Sequence, residues 1–166
     1  MVSPNLIAGG IGAAILLFPS GLKFDLDKWT ITDTGLANDP FPEAIDNLQY
    51  MARYALAMHA DAYKLGVLPK EYRVTSAFRS GAVNKVVGGS ATSEHLFGLA
   101  NDFYIPAVYD WLTKMRGLIG KGAYGPVHQT IIYPDSRFGH MGWYGPDDTR
   151  TARQFLMYKD GVYSNI

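Results

Sequence analysis

The sequence predicts an α+β fold in a single domain, with a small antiparallel sheet and flanking helices. Three observations lead there. From Pro42 to about Leu65, apolar residues recur at spacings of three and four, the period of a half-buried helix. Later stretches are short and β-prone, and turns rich in glycine and proline separate them. The chain has 166 residues, of which 48% are hydrophobic and 18% charged, so it holds apolar material for one core with little to spare.

Taken in order, the chain divides into an apolar segment over residues 1–20 and a domain over residues 21–166. Within the first, Val2 to Phe18 is apolar or small apart from Ser3, Pro4 and Asn5. The run from Leu6 to Phe18 is 13 residues long, well short of the roughly 20 that span a bilayer as a helix. No Lys or Arg precedes Lys23, so the basic start of a cleavable secretory signal is missing. Residues 2–18 are expected to pack on the domain, to meet a membrane, or to insert into a partner such as a virion protein. The glycine-rich spacing at 9–14 suits close helix contact.

Residues 20–42 are polar and rich in turns. Pro42 and Glu43 then suit the first turn of a helix, where a missing N–H costs nothing and an acid meets the positive end of the dipole. Ile45, Leu48, Met51, Ala52, Ala55, Leu56 and His59 form its apolar face, and Gly66 stops it. Tyr72–Phe78 reads as a strand and residues 79–94 as a loop. Gly98–Tyr104 reads as a second strand and Tyr109–Ile119 as a second helix, with Trp111, Leu112, Met115 and Leu118 on one side. Gln129–Tyr133 and Gly139–Tyr144 read as two strands joined through Pro134, Asp135 and Ser136.

Composition narrows the chemistry. Lys plus Arg total 15 and Asp plus Glu total 15, so the chain lacks the basic surplus that phosphate contact needs. Cysteine is absent, which excludes disulfides, thiolate zinc sites and a cysteine nucleophile. A metal would have to sit on His, Asp or Glu. His95, Asp102 and the late His140 offer two imidazoles and one carboxylate, a set that suits zinc with a fourth position left for water. By spacing alone this signal is weak, and a hydrogen-bonded loop histidine with a turn or cap carboxylate is the commoner reading.

The wider string is more specific. Residues 76–102 read SAFRSGAVNKVVGGSATSEHLFGLAND. They follow the pattern S-x-[YF]-R-S-x-x-V-N-x-x-V-G-G-x-x-x-S-x-H-x-x-G-x-A-x-D at 14 of 27 positions, from Ser76, Phe78, Arg79 and Ser80 to Ser93, His95, Gly98, Ala100 and Asp102. This resembles the zinc murein peptidases, a family of D-alanyl-D-alanine carboxypeptidases, D,D-dipeptidases and phage endolysins with the hedgehog/DD-peptidase-like fold. The likeness extends over roughly residues 24–144.

The resemblance implies a zinc peptidase acting on peptidoglycan stems or cross-links, with His95, Asp102 and His140 as zinc ligands. It implies that Arg79 grips a substrate carboxylate or carbonyl and that Ser93 touches substrate. It also implies a place of action at the bacterial cell wall, in a phage virion or an infected host. One departure stands out. Relatives keep an acid or a histidine two or three residues before the last ligand, or an acid two residues after it. This chain has Arg137, Phe138 and Gly142 there. Asp135 is the nearest carboxylate and the expected general base, with Glu94 and Asp147 as further candidates. Its absence from the usual places also admits a virion structural or assembly protein that keeps the fold with little or no catalysis. His59, Trp111 and Trp143 are expected to be packing groups, and His128 to rim the cleft.

Overall fold

The computed structural model describes residues 16–17 and 23–166. Residues 1–20 therefore lie outside the described part, except for the backbone of β1 (Leu16–Leu17), which pairs antiparallel with β2 (Lys23–Phe24). A short helix α1 (Leu26–Trp29) leads to the long helix α2 (Pro42–Lys64), with Pro42 in its first turn as its sequence suggests. Ala44, Leu48, Met51, Ala52, Ala55, Leu56, Met58, His59 and Ala62 are its buried residues, while Ile45 is only half-buried. Gly66 ends the run at φ 72°, and the Val67 N–H turns back to the Ala62 carbonyl at 2.9 Å.

Six strands form one sheet in the order β3-β4-β6-β5-β7-β8. These are β3 (Val74–Ser76), β4 (Ala100–Tyr104), β5 (Val127–Tyr133), β6 (Phe138–Trp143), β7 (Gln154–Lys159) and β8 (Val162–Asn165). Every pairing is antiparallel except β5 with β7, which is parallel. The fold is thus α+β with one sheet and flanking helices. Residues 79–94, read as a loop, contain a helix α3 (Gly81–Val86) and the start of a 3-10 turn (Glu94–Phe97). Residues 145–166 carry no assigned element in the sequence reading, yet they fold as the β7–β8 hairpin. Its turn holds Asp160 at φ 51° and Gly161 at φ 80°, the paired positive angles of a tight hairpin turn.

Alternation along the strands gives the sheet two different faces. Phe103, Ile132 and Met141 are buried in one cluster with Leu48, Met51 and Ala55 of α2 and Trp111 and Met115 of α4 (Val108–Gly120). Trp111 and Trp143 both belong to this core, as does the satisfied side of His59, whose Nε2 lies 2.8 Å from the Pro69 carbonyl. The opposite face carries Asp102, Tyr104, Phe138, His140, Ile131 and Tyr133 along the rim of open hollows. No helix among the described residues is long and apolar enough to cross a membrane.

Candidate metal centre

Three segments far apart in sequence bring the polar cluster together. The β4–β6 register sets Asp102 directly opposite His140. His95 arrives on the 3-10 turn, which seats against the start of α2. Gly98 makes that seating possible: it has φ 71°, and a Cβ there would stand 2.5 Å from the Ala44 carbonyl oxygen. Any side chain would push the turn, and His95 with it, off the helix.

The motif residues between β3 and this turn act mostly as struts. Ser80 caps α3, its hydroxyl accepting from Val83 N–H at 3.4 Å. The Ser80 N–H donates to Asn38 Oδ1 at 2.6 Å, and Asn38 Nδ2 reaches the Thr30 and Phe78 carbonyls. Asn84 donates to the Ser90 carbonyl at 2.8 Å, and its side chain fills the space above Gly89, where a Cβ would fall 2.1 Å from Oδ1. Arg79 N–H donates to the His95 carbonyl at 3.0 Å, tying the turn to the end of β3. Asn38 belongs to no motif, and only the folded chain reveals it as a strut.

At the centre, Asp102 Oδ1 lies 2.8 Å from His140 Nδ1 and 3.2 Å from His95 Nε2, and the two nitrogens are 3.3 Å apart. Tetrahedral zinc with bonds of about 2.0–2.1 Å places neighbouring ligand atoms about 3.3 Å from each other. The triangle therefore matches one face of such a tetrahedron. His95 Nδ1 donates to the Ala77 carbonyl at 2.6 Å, which leaves Nε2 with its lone pair facing the cluster. Burial pushes His95 below the ordinary imidazole range, favouring the neutral, ligating form, although Asp102 works against it. For Asp102, burial works upward, but the His95 and His140 imidazoles outweigh it and hold the carboxyl well below its usual range. The donor set fits a divalent metal.

Arg79 orients this carboxylate. Its Nη2 pairs with Asp102 Oδ2, leaving Oδ1 for the cluster, and its Nε donates to Ser76 Oγ at 2.8 Å. Its third nitrogen, Nη1, makes no hydrogen bond among the described residues. The cluster lines a cleft of about 490 Å3 whose walls include Ser93, Glu94, Tyr133 and Tyr163. Ser93 is thus beside the cluster, as its motif position implies.

Asp135 is not. It is exposed on the β5–β6 turn, beyond the last ladder pair of Tyr133 with Phe138, and it lines neither the cleft nor its neighbour. Strand rise puts that turn about 10 Å from His140. Glu94 lines the cleft instead, and its Oε1 lies 3.1 Å from His128 Nε2. Burial pushes the Glu94 carboxyl up, but the His128 imidazole and backbone hydrogen bonding carry it below its usual range. The His128 ring stacks on Tyr144 with centroids 4.8 Å apart, and Arg150 lies 4.7 Å from the Tyr144 ring centre. A Cβ at Gly142 would fall 2.9 Å from His128 Nε2 and would displace the ring from this position. The imidazole therefore occupies the space a side chain two residues after His140 would fill.

A family model described as Peptidase M15 matches residues 26–116, more than half of the chain, and includes His95 and Asp102 but not His140. No curated protein matches the chain.

Proposed function

From the premise that this chain belongs to the peptidase M15 family, we propose that it is a zinc-dependent peptidase that hydrolyses peptide bonds in peptidoglycan stems or cross-links, in the manner of a phage lysin. Family membership supports a metallopeptidase with a peptide substrate. The observation that carries the finer reading is the convergence of His95 Nε2, His140 Nδ1 and Asp102 Oδ1 within 3.3 Å of one another in a cleft. In this reading those three atoms hold Zn2+. Bound there, zinc supplies Lewis acidity toward a peptide carbonyl and lowers the pKa of water toward neutrality.

The chain's own groups do the rest. Arg79 Nη1 donates to a carbonyl or carboxylate of the peptide, a contact suited to a planar guanidinium. Glu94, rather than Asp135, takes up a proton at its carboxylate as water attacks and passes it to the departing amine nitrogen. His128 holds that carboxylate in place, and Ser93 with Tyr133 and Tyr163 walls the peptide. The bond is of the D-Ala-containing or L-Ala–D-Glu type, and the site of action is the bacterial cell wall during phage infection.

The test is metal content by mass spectrometry on wild type and His95→Ala, with release of amino groups from purified peptidoglycan followed on the same samples. One zinc per chain and hydrolysis, both lost together in His95→Ala, is the expected result. Zinc without hydrolysis of any wall peptide would sink the peptidase reading and favour an assembly protein that retains the metal.

A further inference from the structure

The metal cleft has a neighbour. Across Arg79 and Asp102, a second groove of about 520 Å3 opens toward the β3 edge of the sheet, and Val87 and Phe138 also line both hollows. Its floor is the outer face of the sheet, with Arg73 just before β3, Thr75 in β3 and Tyr104 in β4. Arg73 is exposed, and its guanidinium lies 5.5 Å from the centre of the Tyr104 ring. Among the described residues no carboxylate lies within ion-pair distance of it. Arg79 next door has its acid already in Asp102. The groove thus presents a cation that is braced against a ring but not neutralised, beside a cleft shaped for a peptide.

We propose that this groove is a substrate subsite for a carboxylate carried by the peptide, with Arg73 as the specificity-determining residue. The proposal rests on the peptidase reading for the identity of the ligand as a peptide. Register gives the spacing. Val74 pairs with Phe103, and the Tyr104 N–H donates to the Arg73 carbonyl at 3.0 Å, so Arg73 stands beside Tyr104, two residues along β4 from Asp102. Strand separation and rise then put the Arg73 and Asp102 Cα atoms about 8 Å apart. An extended peptide advances about 3.3–3.6 Å per residue, so the recognised carboxylate lies about two residues from the bond held at the cluster. Asp33 on the groove's rim is exposed and repels additional negative charge. The subsite therefore takes one carboxylate, not a polyanion.

The experiment uses the zinc-loaded full chain and two peptides that differ only in whether the carboxylate two residues from the scissile bond is free or amidated. Calorimetric titration reads binding on versions with that bond N-methylated, and a parallel assay reads turnover on the unmethylated pair. Wild type is expected to bind the free acid about tenfold or more tightly than the amide, the scale of a charge-assisted hydrogen bond. Arg73→Ala should bind both peptides equally with unchanged zinc content, and Arg73→Lys should keep part of the preference. In turnover the loss should appear in KM with kcat nearly constant. An Arg73→Ala protein that still prefers the acid overturns the proposal, as does a wild type that binds both peptides equally or neither. If discrimination is present but neither unmethylated peptide is cut, the subsite stands and the peptidase reading falls.

Discussion

His140 and Met141 are neighbours in β6, yet they lie on opposite faces of the sheet and do different work. His140 joins a cluster at the floor of a cleft, whereas Met141 is fully buried against the helices. Asp102 and Phe103 repeat the contrast on β4. The side-chain period of a strand is two, so one register serves both faces, and a slip of one residue would exchange them. Stability and metal chemistry are therefore separable residue by residue, although the same backbone hydrogen bonds carry both.

The sharpest test of that separation is His140→Ala. It should abolish stoichiometric zinc and reduce peptidase activity to background, while denaturant unfolding of the metal-free protein shifts less than in Met141→Ala. Met141→Ala should do the reverse. Truncating a buried methionine costs about 2–5 kcal/mol, read as a lower urea midpoint, while the fraction that stays folded still binds zinc. Equal stability losses in the two variants would break the comparison.

Glu94→Gln tests a group on the chemical side that is not a ligand. Activity should fall by about a hundredfold to ten-thousandfold, the usual worth of a positioned proton acceptor, with zinc content unchanged; Asp135→Asn should leave turnover within about twofold. Wild-type turnover in Glu94→Gln would remove that residue from the mechanism. Gly98→Ala joins the two faces, because its Cβ would meet the Ala44 carbonyl oxygen. We expect about 1–3 kcal/mol of destabilisation together with weaker zinc binding, measured by thermal unfolding and competition with a chelator.

The smallest effect belongs to His59, behind the sheet. Burial lowers its pKa from the ordinary 6.5, and the carbonyl of Pro69 only partly offsets this. Its Nδ1 is buried without a partner, so a proton there would have nothing to bond. The unfolded chain takes up that proton more readily, so the contribution of His59 is complete above pH 6.5 and is lost as pH falls below it. Urea midpoints of the metal-free protein should decline over that range, and less so in His59→Gln.

Much of the architecture was legible because it rests on local patterns. Helix α2 shows its spacing, its proline start and its glycine stop, and β4, β5 and β6 show their apolar cores. The string from Ser76 to Asp102 marks His95 and Asp102 by its pattern alone. Partnerships across the sheet were harder to read. Asp135 is the nearer carboxylate to His140 in sequence, but the hairpin carries it away from the cleft while the 3-10 turn brings Glu94 to it. His128 shows why distance misleads: it reaches Glu94 because Val127 pairs with Trp143 through an irregular register over Gly142. The β7–β8 hairpin is readable from Asp160-Gly161, but β7 is half-buried, β8 is exposed throughout, and neither shows a clean alternation.

The pairing of β4 with β6 also governs timing. His95 and Asp102 leave the ribosome well before His140, which lies 38 positions after Asp102, and the stretch between them includes all of α4 and β5. A domain generally folds as a unit once its chain has emerged. A nascent chain that has emerged only as far as Tyr133 lacks Met141 and Trp143, which share the apolar cluster with α2. It also lacks His140 and the strand that carries it. Completion of the His95–Asp102–His140 triangle is therefore a late event in the making of this protein, and it acts as a reporter that β6 has found its place between β4 and β5.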